Sequence, residues 1–363
     1  MKTFRRMTAI ALSALMILSV CVIGASAAEG AKTFSLVSYN VAGLPDWQAL
    51  IGKSKTDVAA NQAQIGKQLN EKNADIILTQ EDFGYHDSLV AELTGYRFKT
   101  NHTGGVPGGD GMNIYAHTPI YNEKRITWQK AYGVIDDGAD EMTPKGILYA
   151  VIDVGDGVFV DFYDLHADAY GDAGSKEARR DNFRQLAELI DANDHGRPVI
   201  VTGDFNISGH HSDDDGFTEI LIEGAGFKDA WTELFNGGDY HDFSDAAALY
   251  GAEYWGVWDS VEKYLYKDGG GVTLRPETFL YEWYRDAESG ESLSDHASAY
   301  AIFSYETGST YVPTNKADLA VVRENSFNVL VNRITYIIKD IAKLLSHIGD
   351  LSKYLNGDAF IDE

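Results

Sequence analysis

The stretch VIVTGDFN, Val199 to Asn206, decides the fold. Val199, Ile200 and Val201 are apolar and β-branched, which suits a strand covered on both faces. Gly203 lets the backbone turn where the strand stops. Asp204 and Asn206 stand two residues apart, so on extended backbone their side chains point the same way. The first is an anion able to hold a metal or a water. The second can donate a hydrogen bond to a phosphoryl oxygen. An ordinary strand-ending turn uses the same residue types, so the stretch alone leaves both readings open.

Other segments of the chain repeat the pattern of an apolar strand ending in polar residues. Thr33 to Tyr39 alternates into a strand, Asn40 stands at its end, and Val41 to Pro45 is a loop. Val58 to Leu69 has helical spacing through Ala59, Ile65 and Leu69. Ala74 to Leu78 is a second strand, running into Thr79-Gln80-Glu81-Asp82, and a short helix is expected near His86 to Leu93. The glycine-rich run Gly104 to Gly111 lacks the Gly-Lys-Ser/Thr ending of a nucleotide phosphate loop and reads as a flexible rim of a site. It leads into a strand, Met112 to Ala116.

Thr143-Pro144-Lys145-Gly146 opens a strand over Ile147 to Val154, and Val158 to Tyr163 is followed by Asp164-Leu165-His166-Ala167-Asp168. Glu177 to Asp191 is an amphipathic helix with Phe183, Leu186, Leu189 and Ile190 on one face. Val257 to Tyr266 reads as a strand carrying Asp259, and Leu293 to Ala297 precedes the strand Ser298 to Ser304. His210, His211 and Asp213 to Asp215 form a polar loop that reads as solvated surface or as a metal site. Strands alternate with helices in part and run consecutively in part, which predicts a mixed α/β sandwich and not a regular parallel wrap.

The amino terminus has the form of a secretion signal: Lys2, Arg5 and Arg6, then apolar Ile10 to Val22, then Ala25-Ser26-Ala27 as a cleavage site. The apolar run is short of the roughly 20 residues a membrane span needs. Cleavage is expected after Ala27 or Ala28. A lipoprotein anchor at Cys21 is disfavoured by Val20, where a small residue is expected. Cys21 is the only cysteine, so the exported chain would hold together without disulfides. The formal net charge is −25, and loss of the leader cations makes the remainder more acidic still. That charge disfavours a stable nucleic-acid partner or broad adhesion to anionic membrane. It suits a site that gathers divalent cations.

Taken together, SYNVAGLP at 38–45, TQED at 79–82, DLHAD at 164–168, TGDFN at 202–206, WDSVEKYLY at 258–266 and SDHA at 294–297 resemble the endonuclease/exonuclease/phosphatase superfamily. Its members include pancreatic-type deoxyribonucleases, abasic-site endonucleases, inositol polyphosphate 5-phosphatases and bacterial sphingomyelinases. The resemblance implies a four-layer α/β sandwich of two packed mixed sheets flanked by helices. It implies Glu81 as the principal magnesium ligand, supported by Asn40 and Asp295, with Mn2+ or another divalent cation as a substitute. His296 would be general base, oriented by Asp259. Asp204 would position the attacking water, and Asn206 and His166 would bind the non-bridging oxygens. Lys145 either contacts phosphate or sits on a rim, and one of Arg179 and Arg180 is expected to pair with an acid.

No G-x-S-x-G elbow or H-E-x-x-H motif occurs, which disfavours a serine hydrolase and a zinc protease. The expected organisation is a signal peptide at 1–28, a catalytic domain at 29–306, a linker at 307–325, an amphipathic helix at 326–357 and a tail at 358–363. The helix carries a heptad seam through Leu330, Ile334, Ile337, Ile341 and Leu344. It packs on the domain, self-associates or binds a partner, or lies on a membrane. The expected function is a secreted, metal-dependent phosphoesterase attacking a phosphoryl group with water. Phospholipid such as sphingomyelin, inositol phosphate, nucleotide and DNA all stand as substrates, and the VAGLP and QEDF wording leans to the phospholipid and phosphatase branch. The alternatives are a secreted deoxyribonuclease-like endonuclease and, in another class, a non-catalytic binding or assembly protein on the same scaffold.

Overall fold

Two six-stranded sheets pack face to face in the computed structural model, which describes residues 32–44, 57–106, 108–133, 140–141, 143–207, 216–243 and 260–323, and Leu330, Ile334 and Ile338 beyond them. The first sheet has the order β11 (Val272–Glu282), β12 (Ser298–Thr307), β1 (Lys32–Asn40), β2 (Ile76–Gln80), β4 (Asn113–Ala116), β3 (Phe98–Lys99). The second has the order β5 (Ile120–Thr127), β6 (Gly146–Asp153), β7 (Phe159–His166), β8 (Val199–Asp204), β10 (Glu262–Lys267), β9 (Lys228–Asp229). Each sheet holds one parallel pair, β1 with β2 and β7 with β8, among antiparallel neighbours.

The period of two along each strand builds the layers. In β1, Phe34 and Leu36 face the other sheet, where they meet Phe162, Ile200 and Tyr264, with Phe303 of the adjoining β12 beside them. Val37 and Tyr39 face outward, onto Ile65, Leu69 and Leu89 of the helices α1 (Val58–Lys72) and α2 (His86–Glu92). In β8, Ile200 faces inward. Val199 and Val201 face outward onto Phe183 and Leu186 of α3 (Ala173–Ala192) and onto Phe217 and Leu221 of a π-helical segment, Phe217–Gly224. A short helix α4 (Ala230–Phe235) follows β9. The result is the expected four-layer sandwich. Caps define the long helices: Asp57 accepts from Ala60 N before α1, and Asp172 accepts from Gly174 N and Ser175 N before α3. Gly66 lets α1 approach α2, since a Cβ there would lie 2.3 Å from the Leu89 carbonyl oxygen.

Several local expectations change. β10 begins at Glu262, and β5 and β11 are strands the sequence pattern did not reveal. The glycine-rich loop is packed rather than loose: Thr103 Oγ1 donates to Asp110 Oδ1, and Arg125 donates to both Asp110 oxygens. The segment after β12, read as a linker, runs along β5, where Val322 N donates to Ile120 O and Asn122 N to Ala320 O. Leu330, Ile334 and Ile338 are helical and exposed. The leader with Cys21, the loop at His210, His211 and Asp213–Asp215, Asp259, and the rest of 326–357 lie outside the described residues. Among the described residues no helix is long and apolar enough to cross a membrane.

Candidate active site

The two parallel pairs end side by side, and that convergence makes the site. Asn40 is level with Gln80, the residue before Glu81, and His166 is level with Asp204. β10 runs antiparallel to β8 and sets Glu262 opposite Asp204. Gln80 Nε2 donates to Asp164 Oδ1 at 2.6 Å, joining β2 to β7 beneath the site. Burial holds the Asp164 carboxyl well above its ordinary range, as expected for a buried acid whose chief partner is a neutral amide.

Asp204 is the hub. Its Oδ2 accepts from Asn40 Nδ2 at 3.1 Å and lies 3.5 Å from His166 Nε2 and 3.8 Å from His296 Nε2. Its Oδ1 accepts from Asn206 N at 2.9 Å. Burial opposes ionisation of Asp204, but His296, His166 and Asn40 outweigh it and keep the carboxyl below its usual range. The Asn40 amide also donates to Glu81 Oε1 at 3.1 Å, so one side chain ties the two carboxylates together. Glu81 is raised by burial, which Lys145 and Asn40 only partly offset. Asp295 lies close enough to raise Glu81 further.

His296 follows Asp295 in the loop before β12, where Ser294 Oγ donates to the Asn40 carbonyl oxygen and accepts from His296 N. Its Nδ1 sits 2.5 Å from Glu262 Oε1. Burial works against the imidazolium, yet Asp204, Glu262 and Asp295 push its pKa up to about 10. His166 goes the other way: burial, then Lys145, hold it well below its ordinary value, and its Nδ1 has no hydrogen-bond partner among the described residues. Two histidines on one carboxylate are thus shifted in opposite directions by their surroundings.

Lys145 is buried beside the site and paired with the buried Asp140, whose Oδ2 accepts from Ala169 N. Asp140, Glu81 and Asp204 keep the ammonium charged despite burial. Asn206 is bound through its backbone N–H to Asp204, and its Nδ2 donates to the Ala167 carbonyl oxygen at 3.0 Å. Arg180 pairs with Glu219, and Arg179 donates to the carbonyls of Asp168 and Tyr170.

Asn40, Glu81, Lys145, His166, Asp204, Asn206, Asp295 and His296 therefore lie together at one end of the two sheets. Asp259, the expected orienting residue, lies outside the described residues, and among those described the carboxylate on His296 Nδ1 is that of Glu262. The signal for it was present: Glu262 is a polar residue at a strand end within the quoted WDSVEKYLY stretch, opening its strand where Asn40 and Asp204 close theirs. A cavity of about 700 Å³ near Asp161, Arg197 and Val199 lies at the other end of the second sheet and has no site residue in its lining.

The donor set suits a hard divalent cation. Glu81 and Asp295 supply carboxylate oxygens, and the burial that raises Glu81 marks an anion short of positive charge. The Asn40 Oδ1 accepts from Ala42 N at 3.1 Å and keeps a second lone pair for such an ion.

Known proteins share both sequence and architecture with this chain. The sphingomyelinase of Mycobacterium bovis is 31% identical over 279 residues, covering 75% of this chain and 53% of that protein. The chain thus spans about half the length of the curated relatives it matches. D. rerio TDP2, solved with a single-strand DNA product, superposes with a TM-score of 0.54 at 15% identity, over 75% of this chain and 98% of its own. The beta toxin of Staphylococcus aureus, solved with bound magnesium ions, gives 0.51 at 16% identity, over 74% and 98%. At such identities these two structures speak for the fold. Residues 37–323 match the Endonuclease/Exonuclease/phosphatase family from the middle of β1 to beyond β12, a span that holds every residue of the site, and the chain belongs to that family.

Proposed function

We propose that this chain is an exported, divalent-metal-dependent phosphodiesterase that cleaves the headgroup of a sphingomyelin-type phospholipid. The observation that carries the chemistry is Asp204, whose Oδ2 lies 3.5 Å from His166 Nε2 and 3.8 Å from His296 Nε2 and is tied by Asn40 to Glu81. The name of the mycobacterial relatives supports the substrate class, and the net charge of −25 speaks against a polyanion such as DNA. The leader-like amino terminus supports export.

Glu81, Asp295 and Asn40 would hold Mg2+ or a similar ion. Such an ion supplies Lewis-acid polarisation of the phosphoryl group and steadies the leaving oxygen. The chain's own groups do the rest. Asp204 accepts a hydrogen bond from the attacking water and orients it. His296 Nε2 takes the proton when its imidazole is neutral, and Glu262 on Nδ1 steadies the imidazolium that results. His166, with its hydrogen on the Nε2 that faces Asp204, would offer a donor to a non-bridging oxygen, and Lys145 adds positive charge as the transition state gathers negative charge. No covalent enzyme intermediate is required.

The test is a hydrolysis panel on the purified protein, with Mg2+ and with chelator: sphingomyelin vesicles, an inositol polyphosphate and plasmid DNA. Chelator-sensitive release of phosphocholine is the expected result. Cleavage of DNA in preference to sphingomyelin, or no hydrolysis by folded protein, overturns the proposal.

A further inference from the structure

Directly after Glu81 the chain gathers a second group of ligand-type side chains that the proposed reaction does not use. Asp82 is 1% exposed. Its Oδ2 accepts from Asn113 Nδ2 at 2.9 Å and from Tyr115 OH at 2.5 Å, both on β4, and lies 2.8 Å from His86 Nδ1 at the start of α2. His102, in the loop after β3, places Nε2 3.1 Å from the Asp82 carbonyl oxygen. The two imidazoles stack with centroids 3.9 Å apart and planes 5° from parallel. One ligand atom from each of Asp82, His86 and His102 lies within 4.8 Å of the other two. Beside them is a cavity of about 270 Å³, walled in part by Phe83, Gly84, Gly104 and Gly105.

A purely structural hydrogen-bond cluster explains Asp82 Oδ2, with its three neighbours. It does not explain Oδ1, which is buried and has no hydrogen-bond partner among the described residues. A buried carboxylate oxygen left without a donor is costly, and on a carboxylate grouped with two imidazoles it has the chemistry of a ligand.

We propose that Asp82, His86 and His102 form a second divalent-cation site, one that selects a nitrogen-favouring ion such as Zn2+. Two imidazoles and one carboxylate suit zinc and the late first-row metals, whereas Mg2+ prefers oxygen alone. Ligand atoms around tetrahedral zinc lie about 3.3 Å apart, given bonds near 2.0 Å, so the group closes by side-chain rotation. The two rings must fan out of their parallel stack, and the adjoining cavity leaves room for that and for a water as fourth ligand. The ion would brace the backbone that carries Glu81. Asp82 is its neighbour in sequence, Asp82 N donates to Gly111 O, and Gly43 N donates to Glu81 O. The site would not touch the reacting atoms, and the inference stands whatever the substrate proves to be.

Full-length protein stripped of metal is dialysed against Zn2+ with Mg2+ in large excess, and bound metal is counted by mass spectrometry. One Zn2+ per chain is expected. His86→Gln and His102→Gln should each weaken it on the order of 100-fold, and Glu81→Gln should retain it. Co2+ in place of Zn2+ should give the visible absorption of a nitrogen-ligated ion in the wild type, a reading that needs no variant. Circular dichroism checks that the variants are folded. Absence of stoichiometric Zn2+ uptake by the wild type, a featureless Co2+ spectrum, or uptake unchanged in both histidine variants overturns the proposal.

Discussion

Replacing Glu262 by glutamine tests the site where the structure departs most from the sequence. Glu262 has a fully buried side chain, its Oε1 lies 2.5 Å from His296 Nδ1, and its Oε2 accepts from Ser260 Oγ at 2.9 Å. Its backbone carbonyl accepts from Tyr281 OH, a contact that any side chain leaves intact. Glutamine keeps the shape and removes the charge. A hydrogen bond to a charged group is worth about 1.5–3 kcal/mol more than its absence, and each 1.36 kcal/mol is a factor of ten in rate. If Glu262 steadies the imidazolium formed as water is deprotonated, kcat should fall about 10- to 150-fold. Glu262→Ala also frees the ring to rotate, so its loss should approach the 10²–10⁴ range of general-base catalysis itself. The assay is kcat on a chromogenic phosphodiester in Mg2+, with circular dichroism to show that each variant is folded. A kcat unchanged in Glu262→Gln, with a large loss in Asp259→Asn, would refute the reasoning and return the orienting role to Asp259.

Asp204→Ala and His296→Ala should each lower kcat by on the order of 10³ while the fold persists, and the double variant should lose little more, because the two act as a unit; full additivity would argue against the pairing. Lys145→Met leaves the buried Asp140 carboxylate without its cation, so urea unfolding should show a loss of about 3–5 kcal/mol; an unchanged midpoint would mean that Asp140 is protonated or solvated. Burial, then the neighbouring Asp140, push Asp168 up to about 7 from an ordinary 3.8. The folded chain then holds this proton more tightly than the unfolded chain, so the stability penalty is fully present above about pH 7 and fades as pH falls toward 4. Asp168→Asn should flatten that part of the stability curve in urea titrations at several pH values, and a curve parallel to wild type would contradict the assignment.

The strands of the sandwich that were legible are those whose burial pattern is extreme. β7 and β8 are buried at every position, and such apolar runs announce themselves by composition. β5 and β11 did not, and both are edge strands. β5 reads IYNEKRIT, with a register shift between Tyr121 and Lys124 where Asn122 takes a φ of 55°. β11 carries Pro276 and shifts register between Pro276 and Thr278. Charges, bulges and proline are what a sheet edge tolerates and a central strand does not, so the features that hide these strands from a periodicity reading follow from where they sit.

The site was legible because its residues stand at strand ends, where a polar residue after an apolar run is conspicuous. What no spacing conveys is backbone conformation. Glu81 has a φ of 57° and Asn206 a φ of 53°, both in the left-handed region. For a residue other than glycine that conformation costs about 1–2 kcal/mol, and asparagine tolerates it better than glutamate. Glycine would remove the strain at position 81 and with it the carboxylate. The neighbouring loop is built around the strained turn: Gly43 N donates to Glu81 O, and a Cβ on Gly43 would lie 2.4 Å from that same oxygen. Glycine thus occupies the position whose side chain has no room, and glutamate the position whose backbone would favour glycine. A chain shaped by stability alone would favour glycine at position 81, and the strain kept there supports the proposed role of its carboxylate.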